Sequence, residues 1–350
     1  MLPFTNWNLF PLFLLLSHHS SGICCQAFHS CVTTRDWKTT CNRIDMYLVG
    51  YSFNQPKTNA CIAWNPVGAT FADATTIGTS PSTVFVTVDN SVFVTSTDLN
   101  RTVAWYSDRA LRPKILSGDL SQPKGLFVSY AGRIYVDNGL VHGRVEQWTS
   151  NLTRSANSFN INSSCVALFL VDSGTLYCSL GSLHQVVNIT MSNSLMTPTL
   201  VAGTGASGSL SNMLSDPHGI FVHPTLDLYV ADSGNNRIQV FSHGDPNAMT
   251  VAGDGALGTI SLNHPQAVIL DALDVLFIVD TMNHRIVASG PGGFRCIIGC
   301  AATSGSAANE LNTPVSMSFD RDGNLFVVDQ GNARIQKFDM LVVACRTFMH

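Results

Sequence analysis

Three times the chain writes nearly the same fifteen residues, and this repetition restricts its fold more than any other feature. The phrase is "DLYVADSGNNRIQVF" from Asp227, "VLFIVDTMNHRIVAS" from Val275 and "NLFVVDQGNARIQKF" from Asn324. A proline opens an apolar run upstream of each, and eleven positions separate Pro217 from Leu228, Pro265 from Leu276 and Pro314 from Leu325. The same step joins Pro81 to Val92, Pro123 to Ile134 and, with cysteine in place of proline, Cys165 to Leu176. Nine positions further on stands Arg101, Arg237, Arg285 or Arg334; the second copy has Arg144 one residue late, and the third has Gln185. Six copies on two shared rulers identify a repeat architecture.

The copies start at 81, 123, 165, 217, 265 and 314, a period of 42 to 52 residues, which accommodates four short strands and their turns. In copy four the strands read "GIFVH", "LYVAD", "RIQVF" and the "TVAG" element; Asn235-Asn236, Asp322-Gly323 and Ser173-Gly174 are turn residues of this copy and two others. Proline is tolerated at the start of a strand, where no ladder hydrogen bond is lost. Runs such as "IFV", "LYVA" and "LFIV" do not alternate with polar residues, so each sheet needs cover on both faces. A closed ring supplies that cover and leaves only short edges. The sixth copy lacks a "VAG" strand, while "ATTIGTSP" (Ala74–Pro81) stands before copy one without a blade of its own. Pairing the two predicts a six-bladed, all-β propeller whose ring is closed by an N-terminal strand.

The pattern P-x-G-I-x-V, L-Y-V-A-D-x-x-N-x-R-I-x-x-F, V-A-G-x-G resembles the NHL repeat family, whose repeats build six-bladed propellers. The resemblance covers roughly residues 74–338 and is close in copies four to six. It is looser earlier, where the aspartate after the second strand becomes Ser96, moves one place forward as Asp137, or is lost at Leu180. The domain reading is a signal peptide or signal-anchor at 1–21, a cysteine-containing extension at 22–59, the propeller at 60–340 and a tail at 341–350.

Charged residues are 12% of the chain and the net charge is −4, with no basic stripe to neutralise phosphates, which argues against a nucleic-acid partner. The apolar run Leu9–Leu16 is too short to span a bilayer and, followed by "SHHSSG", reads as an export signal. Ten cysteines and four N-x-S/T sequons, at Asn100, Asn151, Asn162 and Asn188, also fit an exported, glycosylated chain. Cys165 with Cys178, on one predicted hairpin, is the favoured disulfide. Cys296 with Cys300, Cys31 with Cys41 and Cys61 with Cys345 are further candidates.

Asp232, Asp280 and Asp329 stand five residues before Arg237, Arg285 and Arg334. A pair that recurs in separate blades cannot form one site, so these are expected to build the repeat: the aspartate accepts turn N–H groups and the arginine lies within its reach. Function is expected where the copies differ, on the loops joining strands two to three and four to one. That mouth rim includes His218, Asn236, Gln266, His284 and Asn332 in copies four to six. All four sequons fall in copies one to three, so partner capture is expected on the other sector. The rim offers neither a carboxylate pair for acid–base work nor a three-histidine zinc set.

The first functional reading is therefore a secreted binding module without its own chemistry, taking an extracellular protein or, second, a glycan or small ligand. The resemblance also implies an alternative, because six-bladed relatives include a zinc-dependent lyase for peptidyl-hydroxyglycine and calcium-dependent lactonases. Their His, Tyr and Arg or Glu, Asn and Asp clusters find no position-by-position match here. No catalytic residue is assigned, no cofactor is expected, and zinc or calcium at the tunnel is left open.

Overall fold

The computed structural model describes residues 53–342 apart from 59–61, 108–111, 117, 172 and 192–196. Six sheets of four antiparallel strands form the ring. Blade one runs Pro81–Val86, Val92–Ser96, Arg101–Trp105 and Lys114–Leu116; blade two Leu126–Val128, Ile134–Asp137, Arg144–Trp148 and Arg154–Asn160. Blade three runs Ala167–Val171, Thr175–Leu180, Gln185–Thr190 and Thr199–Gly203; blade four Pro217–Val222, Leu228–Asp232, Arg237–Phe241 and Ala248–Gly253. Blade five runs Pro265–Leu270, Leu276–Asp280, Arg285–Ala288 and Arg295–Ile298. Blade six takes Pro314–Phe319, Leu325–Asp329 and Arg334–Phe338 from the end of the chain, and its outermost strand, Ala69–Ala72, from before blade one.

Apolar side chains on both faces of each sheet pack against the neighbouring blades, as the unbroken runs require. Between blades five and six, for example, the rings of Phe277 and Phe319 meet edge to face at 5.0 Å. The prolines begin their strands, and the ladder register breaks just after them, between Pro217 and Ile220 and between Pro265 and Ala267. This bulge leaves the residue after each proline outside the regular pairing, beside the central cavity.

The ring closes as the repeats predict, but not with the predicted residues. Ala74–Ile77 is a single helical turn, capped by Asp73, whose side chain accepts the Thr75 N–H. The closing strand lies just before it, with Ala69 opposite Lys337, Thr70 opposite Gln336 and Ala72 opposite Ile335. Phe71 seals the joint, its ring 5.2 Å from Phe326 of blade six and 5.2 Å from Trp105 of blade one. A second seam pairs Ile62–Trp64 with Met340–Val342.

Disulfides join Cys165 to Cys178 and Cys296 to Cys300. The export segment, Cys31 with Cys41 and Cys61 with Cys345 lie outside the described residues. No described helix is long and apolar enough to cross a membrane.

Candidate binding site

The repeated phrase proves to be a brace that fixes the mouth loops. Asp232, Asp280 and Asp329 are fully buried, and one carboxylate oxygen of each accepts a backbone N–H from the strand-four-to-one connection, at Ser215, Asn263 and Asn312 (2.7, 2.7 and 2.6 Å). The other oxygen accepts the side-chain amide of Asn235, Asn283 or Asn332 and the Nε–H of Arg237, Arg285 or Arg334. The guanidinium then reaches back to carbonyls of the same connection, Ser209, Leu210 and Met213 for Arg237. In the Arg237 brace both carboxylate oxygens and all three guanidinium nitrogens find a partner, which is what a charged pair buried in this way requires.

A second brace joins neighbouring blades at the mouth end. The turn after the second strand ends on a left-handed residue, Asn100, His184, Asn236 or His284, with φ near +50°. Its side chain accepts the backbone N–H of the residue at or near the start of the next blade: Gln122, Asp216, His264 and Thr313 respectively, at 2.7 to 3.1 Å. Those four residues also have positive φ. Such backbone strain persists only where the surroundings fix it, and Asn, Asp and His are the types that tolerate it best.

Of the rim residues expected from sequence, the structure brings His218 and Gln266 together on the wall of the central cavity. Asn236 and His284 are the inter-blade acceptors just described, and Asn332 donates to Gly305 O and Asp329. The residues one place after each opening proline or cysteine form the upper ring of the cavity: Ser82, Lys124, Val166, His218, Gln266 and Val315. His218 Nε2 lies 3.3 Å from Asp216 Oδ2. The His218 side chain beside it, with burial opposing, and more weakly the charges of His184 and Lys124, hold the Asp216 carboxyl below its usual range.

Below that ring the walls become apolar. Three positions further down stand Phe85, Phe127, Phe169 and Phe221 on consecutive blades, with ring centroids 4.9 to 5.3 Å apart from one to the next. The chain's own Phe53–Thr58 segment closes the far end. Phe53 packs on Phe127, Phe169 and Phe221, and Asn54 Nδ2 donates to the carbonyls of Val86, Thr87 and Phe319 where the inner strands end. Gln55 donates to Leu270 O, and the Thr58 N–H to Asp271 Oδ2 at 2.8 Å. The tunnel is thereby a cup of about 410 Å³, open at the mouth. This plug escaped the sequence reading; its only signal is the pair of amide side chains in "FNQP", suited to capping the ends of inner strands.

Among the described residues no group of three His, Cys, Asp or Glu side chains stands close enough to hold a metal ion. Blade two departs from the brace: Asp137 is fully buried without an arginine and accepts the N–H of Cys165 and of Lys124 and the Ser164 hydroxyl. Burial outweighs these donors and pushes its carboxyl up to about 6.

Comparison with known proteins agrees with this architecture. Residues 214–241 match the model of the NHL repeat. Human NHL repeat-containing protein 3 is 26% identical over 137 residues, which cover 35% of this chain and 39% of that protein. The chain spans at most 39% of the length of the curated relatives it matches. An auxiliary nutrient binding protein from Bacteroides thetaiotaomicron superposes with a TM-score of 0.60 at 15% identity, covering 83% of this chain and 76% of the other. Virginiamycin B lyase from Staphylococcus aureus gives 0.54 at 12%, covering 80% and 100%. At these identities the two solved structures establish the fold alone. With its repeat phrase matched, an NHL-repeat relative and six four-stranded blades closed in a ring, this chain is an NHL-repeat β-propeller.

Proposed function

We propose that the protein is an exported, glycosylated binding module that takes its partner at the mouth of the ring and carries out no chemistry there. The observation behind this reading is the cup: a blind, preformed cavity with a polar rim and a phenylalanine floor, of the size and make-up that suit ligand capture. An extracellular protein that projects an apolar side chain into the cup is the first class of partner, and a glycan or small molecule the second. Two disulfides support an oxidising compartment. The sequon residues Asn100, Asn151 and Asn162 are exposed, and Asn100 and Asn162 lie at the mouth end of blades one to three, which leaves the sector of blades four to six for contact.

The neutral fluorescent probe N-phenyl-1-naphthylamine tests the site. Wild-type protein is expected to bind one probe per chain and to brighten it, whereas Gln266→Trp, which fills the mouth from a half-buried rim position, is expected to lose that signal at an unchanged thermal midpoint. Equal binding by both proteins would place the site elsewhere.

A further inference from the structure

The cup has one formal charge. Apart from Lys124 in blade two, every residue that lines it is neutral or, at His218, an imidazole; no carboxylate faces the cavity. The Lys124 ammonium makes no ion pair or hydrogen bond among the described residues, and its charge acts only weakly on the Asp216 carboxylate beside His218. Gln266, on the opposite side of the ring, likewise makes no side-chain hydrogen bond there, so its amide is available at the rim. This single cation stands on a protein whose net charge is −4, so it is a local feature of the mouth and not part of a basic surface.

Charge is confined to the mouth, and the deeper walls are mainly apolar. The upper ring carries the ammonium, the imidazole and the amide, whereas Phe127, Phe169 and Phe221 with Phe53 make up most of the bottom, where Asn54 and Ser318 are neutral. A ligand that matches this gradient has an apolar body and one anionic end. Inverted, it would bury its charge against phenylalanine and leave its hydrocarbon in water, and both are unfavourable. A cationic ligand would meet the Lys124 ammonium, with no carboxylate among the residues that line the cavity to receive it. A strongly polar ligand such as a sugar would set most of its hydroxyls against Phe85, Phe127, Phe169, Phe221 and Ile269, which return no hydrogen bond.

We infer that the cup is a binding site for a small apolar monocarboxylate, its hydrocarbon on the phenylalanine floor and its carboxylate at Lys124. This rests on the reading of the cup as the binding site and names the chemistry of what enters it. The lysine supplies a point charge, which holds one carboxylate without requiring bidentate geometry.

The test is displacement of bound N-phenyl-1-naphthylamine by three ligands of equal chain length, decanoate, 1-decanol and decylammonium, each below its micelle-forming concentration. Decanoate is expected to displace the probe at a concentration at least tenfold lower than decanol, and decylammonium to be the weakest. The decanoate-to-decanol ratio is read within each variant, so a change in overall affinity does not enter. It is expected to fall to about one in Lys124→Gln, and in Lys124→Glu the order of decanoate and decylammonium is expected to reverse. Decanol matching decanoate on the wild type, or a preference that survives in Lys124→Gln, overturns the inference while leaving the cup as the binding site. Absence of probe binding to the wild type removes the cup reading, and the inference with it.

Discussion

Asp232 accepts a backbone N–H, an asparagine amide and a guanidinium N–H while wholly out of water, and the arrangement holds the entry loop of its blade in place. Removing the carboxylate leaves Arg237 buried and unpaired, which costs about 3–5 kcal/mol. Asp232→Ala is therefore expected to lower the urea midpoint strongly, and a loss under about 1 kcal/mol would show that the brace is dispensable. The spacing of five from aspartate to arginine made this pairing legible in sequence, because a strand end and the next strand start are fixed neighbours in a hairpin. The inter-blade acceptors were not legible. His184, Asn236 and His284 share a repeat position, yet only the fold shows that the left-handed turn aims each side chain at the next blade. Asp137 shows what happens without the arginine. Its carboxyl, pushed by burial from 3.8 up to about 6, holds its proton more tightly folded than unfolded. That contribution, about 3 kcal/mol for a shift of this size, is present in full below pH 4 and is lost as pH rises through 6. The stability gap between wild type and Asp137→Asn is thus expected to narrow between pH 4.5 and 7.5 in thermal unfolding; a gap independent of pH would contradict the burial argument.

Inner strands pack so closely that some positions accept no side chain. A Cβ on Gly219 would lie 2.7 Å from Ala267 Cα and 2.7 Å from Gln266 O, both backbone atoms of the first strand of blade five. Gly219→Ala must push blades four and five apart and is expected to cost roughly 1–3 kcal/mol by thermal unfolding. Gly292→Ala, with nothing within 4 Å, is the matched control and should stay within about 0.5 kcal/mol. At this scale the rulers located the first three strands of every blade, since hydrophobic runs bounded by turn residues are what a strand requires. They misplaced the closing strand by a few residues. "TTIG" carries the β-branched residues of a strand, but Asp73 ahead of it captures Thr75 N–H and starts a helical turn. The true strand, "ATFA", is half exposed and has too little apolar pattern to be recognised.

A ring of blades is only as stable as the joint between its first and last residues, because each remaining interface is made by neighbours in sequence. Here the joint is built from segments some 266 positions apart, with Thr70 Oγ1 reaching Gln336 and Asn54 reaching Phe319 O. Three features meet there: the closing strand, the Ile62–Trp64 seam, whose Trp64 indole donates to Gly323 O, and the plug below the cup. A chain beginning at Asp73 loses all three. Blade six then keeps three strands and offers Arg334–Phe338 as an unpaired outer edge, while Phe326 and Trp105 lose the Phe71 ring between them. An open edge beside newly exposed aromatic surface is a template for pairing with another chain. The truncated protein is expected to unfold at a lower temperature and to associate as its concentration rises, measured by light scattering behind size-exclusion chromatography, whereas a chain beginning at Phe53 keeps the joint and remains monomeric. If the Asp73 truncation stays monomeric at the midpoint of the longer chain, the blades hold the circle by their mutual packing and the terminal strands are not what closes it.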